Sequence, residues 1–415
     1  MDIRDLNGKS IAILGAHGRE GMAMQEALKR YAPDAKVDLR DRKDSPDYLE
    51  NLNEFDCVIK APGIPPHLIT NHELPITNST QIFLDSIDPQ TTVIGVTGSK
   101  GKSTTASLIK AILKEAGKEV RLVGNIGDAA IAHIEEGGLN KFFVQEFSSY
   151  QLMQVTRSPQ IAVVTSFFPE HLDYHGSLEA YKKAKKHLTK FQSTDDIVFY
   201  YDKSDGAKEI AECSSGKAVA YGEDDSPIAI IDTKLVGTHN LFNIGAAAAV
   251  ARHLGIDDSV IIEAVRNFEG LPHRLKNLGK YSGIVWVDDA ISTTPESTIA
   301  AIHALTPEIS TIILGGQDRG NDFTQLGEVI AASGIDHVIL MGESGPRIGD
   351  AISGAEIIVH EAASMEEAVN IAKDRSPTTD NRIPICLLSP ASPSYGMFKD
   401  FEEKGEAFES QITGY

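Results

Sequence analysis

Several features that would place a chain in a membrane, secreted or metal-scaffold class are missing from this sequence. No apolar run is long enough to cross a bilayer, and the segment from Met1 to Asp5 does not start an apolar secretory signal. Only three cysteines occur, Cys57, Cys213 and Cys386, and their spacing suits neither a metal site nor a disulfide framework. These absences predict a cytoplasmic protein with reduced thiols and no membrane insertion.

Positive charge is also scarce. The chain has 39 Lys and Arg against 59 Asp and Glu, which gives a formal net charge of −20. This balance argues against a nucleic-acid surface, although a local cationic pocket for a small anion is compatible with it. We therefore expect small-molecule partners and no nucleic acid. The length of 415 residues exceeds what one core normally organises and predicts two or three domains.

The most informative segment that is present is a loop from Thr97 to Thr105. It follows the apolar run 92–96 and precedes a helical pattern over 106–115, which is the strand–loop–helix order of a phosphate-binding loop. Glycines let backbone N–H groups approach phosphate oxygens, Lys102 adds a positive charge, and Ser103 offers a hydroxyl to Mg²⁺. The segment therefore predicts binding of a nucleoside triphosphate.

The spacing of this loop differs from the usual one, because Gly98 and Gly101 stand closer together than the glycines of an ordinary P-loop. A glycine- and serine-containing turn after a buried strand is the structural alternative. The strand and helix context favours ATP. The residues that we predict to contact ATP in this loop are Gly98, Ser99, Lys100, Gly101, Lys102, Ser103 and Thr104.

The pattern that contains the loop 97–105 is the central one, and two further α/β patterns flank it. In the first, the apolar run 10–14 leads into Gly15, Gly18 and Gly21, ahead of a helical pattern over 22–31. This glycine spacing is not that of a classical dinucleotide site, so it favours a nucleotide diphosphate at the helix N-terminus. A structural turn that binds nothing is the alternative. In the last pattern, apolar runs end in polar turns, as they do around ligand crevices in open α/β sheets.

The central pattern carries two more polar groups at predicted strand ends. Glu146 follows the apolar run 142–144 and could hold Mg²⁺, and His171 follows the run 161–165. A lysine-rich helical stretch, 182–186, comes next. Taken singly, the lysines read as a solvated face and His171 as a loop histidine. Beside a triphosphate loop they become candidate ligands.

In their order, these segments resemble the Mur ligase family, and the resemblance extends over essentially the whole chain. The matching stretches are 97–105, 124–127, 146–152, 171–173, 237–243, 270–274 and 388–394. The resemblance implies an α/β enzyme with three domains. These are a Rossmann-like UDP-sugar-binding domain over 1–89, a central P-loop ATPase domain over 90–271, and a Rossmann-like amino-acid-binding domain over 272–415.

The resemblance also implies the roles of individual residues. Catalysis would involve Lys102, His171 and Lys185. Two Mg²⁺ ions would be held by Ser103, Glu146, His171 and Lys185, the last as a carbamate. Outside the loop, ATP would contact Asn240, Asn243, Arg274 and Asp289. The UDP-sugar would contact Gly15, Gly18, Asp41, Pro62, Gly63 and Asn125. Glutamate would contact Thr293, Arg319, Ser394 and Phe401.

The implied reaction is the ATP-dependent addition of D-glutamate to UDP-N-acetylmuramoyl-L-alanine through an acyl phosphate, by a monomer, in cytoplasmic peptidoglycan precursor synthesis. Some positions depart from the family pattern. The segment 289–293 lacks a lysine that D-glutamate-adding members often carry, Arg319 replaces another lysine, and 291–295 resembles a branch that adds L-glutamate. Ser166 and Glu170 replace an Asn and an Asp near the metal site. An L-glutamate ligase is therefore one alternative, and a non-ligase ATP-binding or regulatory protein on the same fold is another.

Overall fold

A computed structural model describes residues 1–69, 74–306, 308–352, 354, 356–375 and 384–414. The chain forms α/β layers around three sheets whose strands are almost all parallel, so the predicted α/β class is confirmed. The first sheet has the strand order β2-β1-β3-β4, and all its pairings are parallel. Its elements are β1 (Ser10–Leu14), α1 (Arg19–Tyr31), β2 (Lys36–Arg40), β3 (Cys57–Lys60), β4 (Ile76–Thr77) and α2 (Ser79–Ser86).

The second sheet is a parallel sheet with the order β10-β9-β8-β5-β7-β6. Its central strands are buried on both faces, which explains why they read as continuous apolar runs. Its strands are β5 (Thr92–Thr97), β6 (Glu119–Gly124), β7 (Lys141–Glu146), β8 (Ile161–Val164), β9 (Ile197–Tyr201) and β10 (Lys217–Tyr221). Its helices are α3 (Lys102–Glu115), α4 (Ser149–Leu152), α5 (Leu172–His175), α6 (Leu178–Lys186), α7 (Asp205–Ala211), α8 (Asn240–His253) and α9 (Asp258–Asn267).

The third sheet has the order β11-β12-β16-β13-β14-β15, and only the β11–β12 pairing among these is antiparallel. Its strands are β11 (Lys276–Tyr281), β12 (Ile284–Asp288), β13 (Ile309–Leu314), β14 (His337–Met341), β15 (Ile358–Ala362) and β16 (Ile385–Leu388). Its helices are α10 (Pro295–Leu305), α11 (Thr324–Ala332), α12 (Gly345–Ala351), α13 (Met365–Arg375) and α14 (Phe401–Thr413).

Predicted helices exist, but three of them begin earlier than the sequence pattern indicated. The structure starts α1 at Arg19, α3 at Lys102 and α8 at Asn240, whereas the pattern placed these starts at 22, 106 and 243. The first turns of α1 and α3 are formed by polar residues and glycine without apolar periodicity, so the pattern missed them. In the structure, Lys102 is the first residue of α3, and Asn240 is the first residue of α8.

The chain divides into two compact units, one comprising Met1–Ala229 with Leu241–Arg266 and the other Ile230–Asn240 with Asn267–Tyr415. The first unit contains both the first and the second sheet because one apolar core joins them. Within that core the Phe83 and Phe143 rings lie 5.5 Å apart. The boundaries at 89/90 and 271/272 stay predictions. Among the described helices, none combines the length and apolar content that crossing a membrane would require.

Candidate active site

The triphosphate loop lies between the end of β5 and the start of α3, so the predicted strand–loop–helix context is confirmed. Gly98 and Gly101 have φ of 151° and 85°, and Gly101 is the residue that precedes α3. A Cβ on Gly98 would overlap Thr165 Oγ1, and one on Gly101 would overlap Asn243 Oδ1. Both positions therefore need glycine, despite the short spacing between them.

Hydrogen bonds from the segment after β8 fix the other side of this loop. The Ser99 amide donates to the Ser166 carbonyl at 2.7 Å, and the Lys100 amide donates to Ser166 Oγ at 2.9 Å. Thr165 Oγ1 donates to the Lys100 carbonyl at 2.6 Å. Glu170 pairs with Lys100 Nζ at 2.8 Å. Ser166 and Glu170, which depart from the family pattern, thus support the loop, a role that the sequence alone did not indicate.

Two lysines approach the loop from different elements. Lys102 Nζ donates to the Ser99 carbonyl at 2.8 Å, which brings its charge back over the loop. Lys185, on α6, is buried and donates to the Gly98 carbonyl at 2.7 Å. Burial lowers the pKa of the Lys185 amine well below its usual range, and the nearby Lys102 charge lowers it further. A neutral amine is the form that can react with CO₂ to give a carbamate.

Glu146 ends β7 and is paired in register with Val96 on β5 and with Gly124 on β6. Its carboxylate is buried. Asn125 Nδ2 donates to Glu146 Oε1 at 2.9 Å, whereas Glu146 Oε2 has no hydrogen-bond partner in the part of the chain that the structure describes. A buried carboxylate oxygen without a partner is costly, and a bound cation would remove that cost.

His171 directly precedes α5 and has a left-handed backbone with φ of 56°. Its ring lies 5.1 Å from the Tyr150 ring and 6.0 Å from the Tyr181 ring. Lys185 Nζ lies 4.8 Å from the same Tyr181 ring. His171 and Lys185 therefore both lie near the ring of Tyr181. Tyr181 was not predicted from the sequence, although its hydroxyl lies 3.0 Å from Ser99 Oγ.

Within the described ranges, no group of three or more His, Cys, Asp and Glu side chains could hold a metal ion. The predicted donor set is of another kind, because Ser103, Glu146 and His171 would be completed by a carbamate on Lys185. The Asp173 side chain of the 171–173 motif lies outside the described atoms. Ser103 is half-buried in the first turn of α3, where its hydroxyl can serve a phosphate-bound ion.

The remaining ATP residues are placed separately. Asn243 Oδ1 accepts from Thr105 Oγ1 at 3.1 Å, and Asn240 Nδ2 donates to the Val236 carbonyl at 2.7 Å. The Arg274 side chain is exposed. Asp289 is buried and accepts from Ser389 Oγ at 2.8 Å. A contact between Asp289 and a ribose stays a prediction, as do the other roles in this group.

The residues predicted to bind the UDP-sugar lie at the carboxyl ends of strands in the first sheet and at the turn after β6. Gly15 has φ of 78°, and Gly18 directly precedes α1. Asp41 accepts from the His17 and Lys43 amides at 3.1 and 3.0 Å, and these bonds lower the pKa of its carboxyl. The Pro62 carbonyl accepts from Tyr174 OH at 2.6 Å, and Asn125 lies beside Glu146. No described residue lies within 4 Å of the position that a Cβ on Gly63 would take.

The residues predicted to bind glutamate lie around the third sheet. The buried Ser394 hydroxyl has no hydrogen-bond partner among the described residues, and Arg319 Nε donates to Gln317 Oε1 at 3.1 Å. Phe401 is the first residue of α14, and Thr293 is half-buried in the turn after β12. Lys404, which the sequence interpretation missed, is buried and donates to the Gly315 carbonyl at 2.7 Å; burial lowers its pKa to about 8.

Comparisons with known proteins show which family the chain resembles. The family domain described as the Mur ligase middle domain matches residues 96–251, and the Mur ligase, glutamate ligase domain matches 273–382. A UDP-N-acetylmuramoylalanine–D-glutamate ligase of Streptococcus agalactiae serotype Ia is 35% identical over 382 residues, which cover 87% of this chain and 83% of that protein. A protein of the same name from Acetivibrio thermocellus is 33% identical over 402 residues, covering 88% and 84%.

A UDP-N-acetylmuramoyl-L-alanine–L-glutamate ligase of Salinispora tropica is 33% identical over 457 residues, covering 99% of each chain. Among solved structures, the UDP-N-acetylmuramate-alanine ligase of Thermotoga maritima aligns with a TM-score of 0.60 at 17% identity, covering 98% of this chain and 99% of that chain. The Thermotoga maritima MurF ligase in complex with ADP aligns with a TM-score of 0.60 at 16% identity, covering 99% of each chain. At these identities the two structures support the fold.

Proposed function

Because the chain belongs to the Mur ligase family, an ATP-dependent family of amide-bond-forming ligases, we propose that it adds D-glutamate to UDP-N-acetylmuramoyl-L-alanine. The resemblance inferred from the sequence motifs is thereby confirmed. The D-glutamate-adding relatives from Streptococcus and Acetivibrio support this choice of amino acid. The single structural observation that carries the proposal is the triphosphate loop, which is bordered by the buried Lys185 and by Glu146. Of the two carboxylate oxygens of Glu146, Oε1 accepts a hydrogen bond, and Oε2 accepts none from the described residues.

Of the two alternatives, neither is favoured. A non-ligase ATP-binding protein would not need the glutamate ligase domain that matches residues 273–382. The alternative that the chain adds L-glutamate is supported by the Salinispora relative and by the segment 291–295. Assays that supply both amino acids separate it from the D-glutamate reading. Cytoplasmic localisation and a monomeric state remain part of the proposal.

The residues around the loop fit Mg²⁺. Glu146 Oε2 is a buried carboxylate oxygen without a hydrogen-bond partner among the described residues, and burial lowers the pKa of the Lys185 amine, which favours its neutral form. We propose that Ser103, Glu146, His171 and carbamylated Lys185 hold two ions. When bound, Mg²⁺ would neutralise the negative charge of the triphosphate and of the substrate carboxylate.

The protein acts mainly by binding and orientation. Amides of the loop and Lys102 Nζ would hold the β- and γ-phosphates, so that the L-alanine carboxylate of the substrate attacks the γ-phosphorus and releases ADP. The product is an acyl phosphate. The amine of glutamate then attacks its carbonyl carbon, and the tetrahedral intermediate collapses to the amide and inorganic phosphate. Exclusion of water protects the acyl phosphate, and no protein nucleophile is required.

Phosphate release tests the proposal. Purified protein is incubated with ATP, Mg²⁺ and UDP-N-acetylmuramoyl-L-alanine, with D-glutamate, L-glutamate or no amino acid. Release that requires both the nucleotide sugar and D-glutamate is the expected result. Equal or better turnover with L-glutamate would transfer the chain to the L-glutamate branch. Release independent of any acceptor would contradict ligation altogether.

A further inference from the structure

Arg19 connects the first sheet to the turn beside the candidate metal carboxylate. It is the first residue of α1, directly after Gly18. Its guanidinium donates to the carbonyls of the turn after β6: Nη2 reaches Gly124 O at 2.6 Å and Asn125 O at 3.3 Å, and Nη1 reaches Gly127 O at 3.1 Å. One planar cation thus spans the whole turn.

Two glycines give the 124–127 turn its shape. Gly124 and Gly127 have φ of 102° and 76°, and a Cβ on either would overlap a backbone carbonyl, of Glu146 and of Leu122 respectively. Glycine at both positions permits this geometry, but it also gives the turn more conformational freedom than other residues would. The fork of Arg19 restricts that freedom, because three carbonyls must stay in register with two guanidinium nitrogens.

The same turn holds Glu146. The Asn125 amide donates to the Glu146 carbonyl at 2.9 Å, and Asn125 Nδ2 donates to Glu146 Oε1 at 2.9 Å. These two bonds set both the backbone and the carboxylate of Glu146. The other carboxylate oxygen, Oε2, is buried, and no described residue forms a hydrogen bond with it. The hydrogen bond from Asn125 therefore determines which carboxylate oxygen of Glu146 is available to bind a cation.

The residue after Arg19 connects the first turn of α1 to two further segments. Glu20 accepts a hydrogen bond from Ser79 Oγ and another from Gln151 Nε2 at 3.4 Å. Gln151 belongs to α4, which follows β7. The start of α1 is thus hydrogen-bonded to α2 through Ser79 and to α4 through Gln151. These contacts hold Arg19 where its guanidinium can donate to the carbonyls of the 124–127 turn.

We propose that Arg19 is a positioning residue for the metal site: it fixes the 124–127 turn, through which Asn125 orients Glu146 toward a divalent cation. This inference rests on the proposed role of Glu146. If Arg19 is removed, the turn relaxes and Glu146 loses its orientation. The affinity for the cation should fall, while the turnover number at saturating cation should change little.

The test is a titration of Mn²⁺ into the full chain with a non-hydrolysable ATP analogue, followed by the electron paramagnetic resonance signal of free Mn²⁺. Arg19→Ala and Asn125→Ala should each weaken Mn²⁺ binding by roughly fivefold to tenfold, as expected for losing hydrogen bonds to a charged group. Because both act through one turn, the double variant should bind no more weakly than Asn125→Ala alone. Arg19→Lys should be intermediate, since an ammonium cannot span the three carbonyls.

Controls separate the possible failures. Arg30→Ala removes an exposed arginine of the same helix, which pairs with Glu135, and should leave Mn²⁺ binding unchanged. Glu146→Gln should weaken binding most, and unchanged binding in that variant would overturn the metal assignment and this inference together. If Glu146→Gln weakens binding but Arg19→Ala and Arg19→Lys, with parental melting temperatures, do not, the role of Arg19 alone is overturned. Multiplicative losses in the double variant would also overturn it.

Discussion

Gly101→Ala is the substitution whose effect follows most directly from the geometry of the triphosphate loop. Gly101 has φ of 85°, a region that costs a residue with a Cβ about 1–2 kcal/mol. The new methyl group would overlap Asn243 Oδ1 and lie 2.9 Å from Phe242 Cε2. Moving Asn243 would break its 3.1 Å hydrogen bond from Thr105, a loss of about 1 kcal/mol.

Together these effects amount to about 2–3 kcal/mol. Since they act on the loop that we predict to hold the phosphates, ATP affinity should fall by roughly 30- to 150-fold. Isothermal titration with a non-hydrolysable ATP analogue measures this loss, and thermal unfolding shows whether the fold survives.

Gly117→Ala is the matched control for this loss. Gly117 follows the other end of α3 with φ of 69°, and a Cβ there would meet open space. The control therefore carries the same backbone strain without the overlap and should lower stability while ATP affinity stays at the parental value. ATP affinity of Gly101→Ala within threefold of the parent would refute the reasoning.

Three further predictions concern charged groups. Lys102→Ala should abolish phosphate release and leave the melting temperature unchanged, whereas Lys114→Ala, at the exposed end of α3, should keep activity. Removing CO₂ and bicarbonate should lower activity, and ¹³C-bicarbonate should restore it with a carbamate signal that Lys185→Met lacks, because burial lowers the pKa of this amine and so favours the neutral form that reacts with CO₂. Asp289→Asn should stabilise the chain relative to the parent at pH 8 but not at pH 4, by about 1–3 kcal/mol, because burial raises the pKa of Asp289 to about 6.

The sign of the last effect follows from proton linkage. The Asp289 carboxyl binds a proton more tightly in the folded chain than in the unfolded chain. Its contribution to stability is therefore present below about pH 4 and is lost as the pH rises through about 6. Chemical unfolding of both proteins at several pH values measures the difference, and parallel stability profiles would contradict it. Normal ligation by Lys102→Ala, or a carbamate signal in Lys185→Met, would contradict the other two predictions.

Local patterns in the sequence were sufficient for the fold class, the family and the triphosphate loop. Apolar runs followed by glycine turns predicted strands such as β5 and helices such as α3, and the structure confirms both. These features depend on side-chain periodicity and turn chemistry within short segments, which can be recognised without knowing the rest of the chain. The helix start at Lys102 was missed because the polar first turn of α3 has no apolar periodicity.

Only the tertiary structure decided which groups meet. Strand β5 pairs with β7 and β8 rather than with β6, so Glu146 and Thr165 come beside the loop although they are distant in sequence. Burial then distinguished Lys185 from the other lysines of its helix by lowering the pKa of its amine. The hydrogen bonds from Arg19 to the 124–127 turn likewise connect segments that are more than a hundred residues apart in sequence. Such pairings depend on long-range packing and on desolvation, and neither is expressed in the local order of residues.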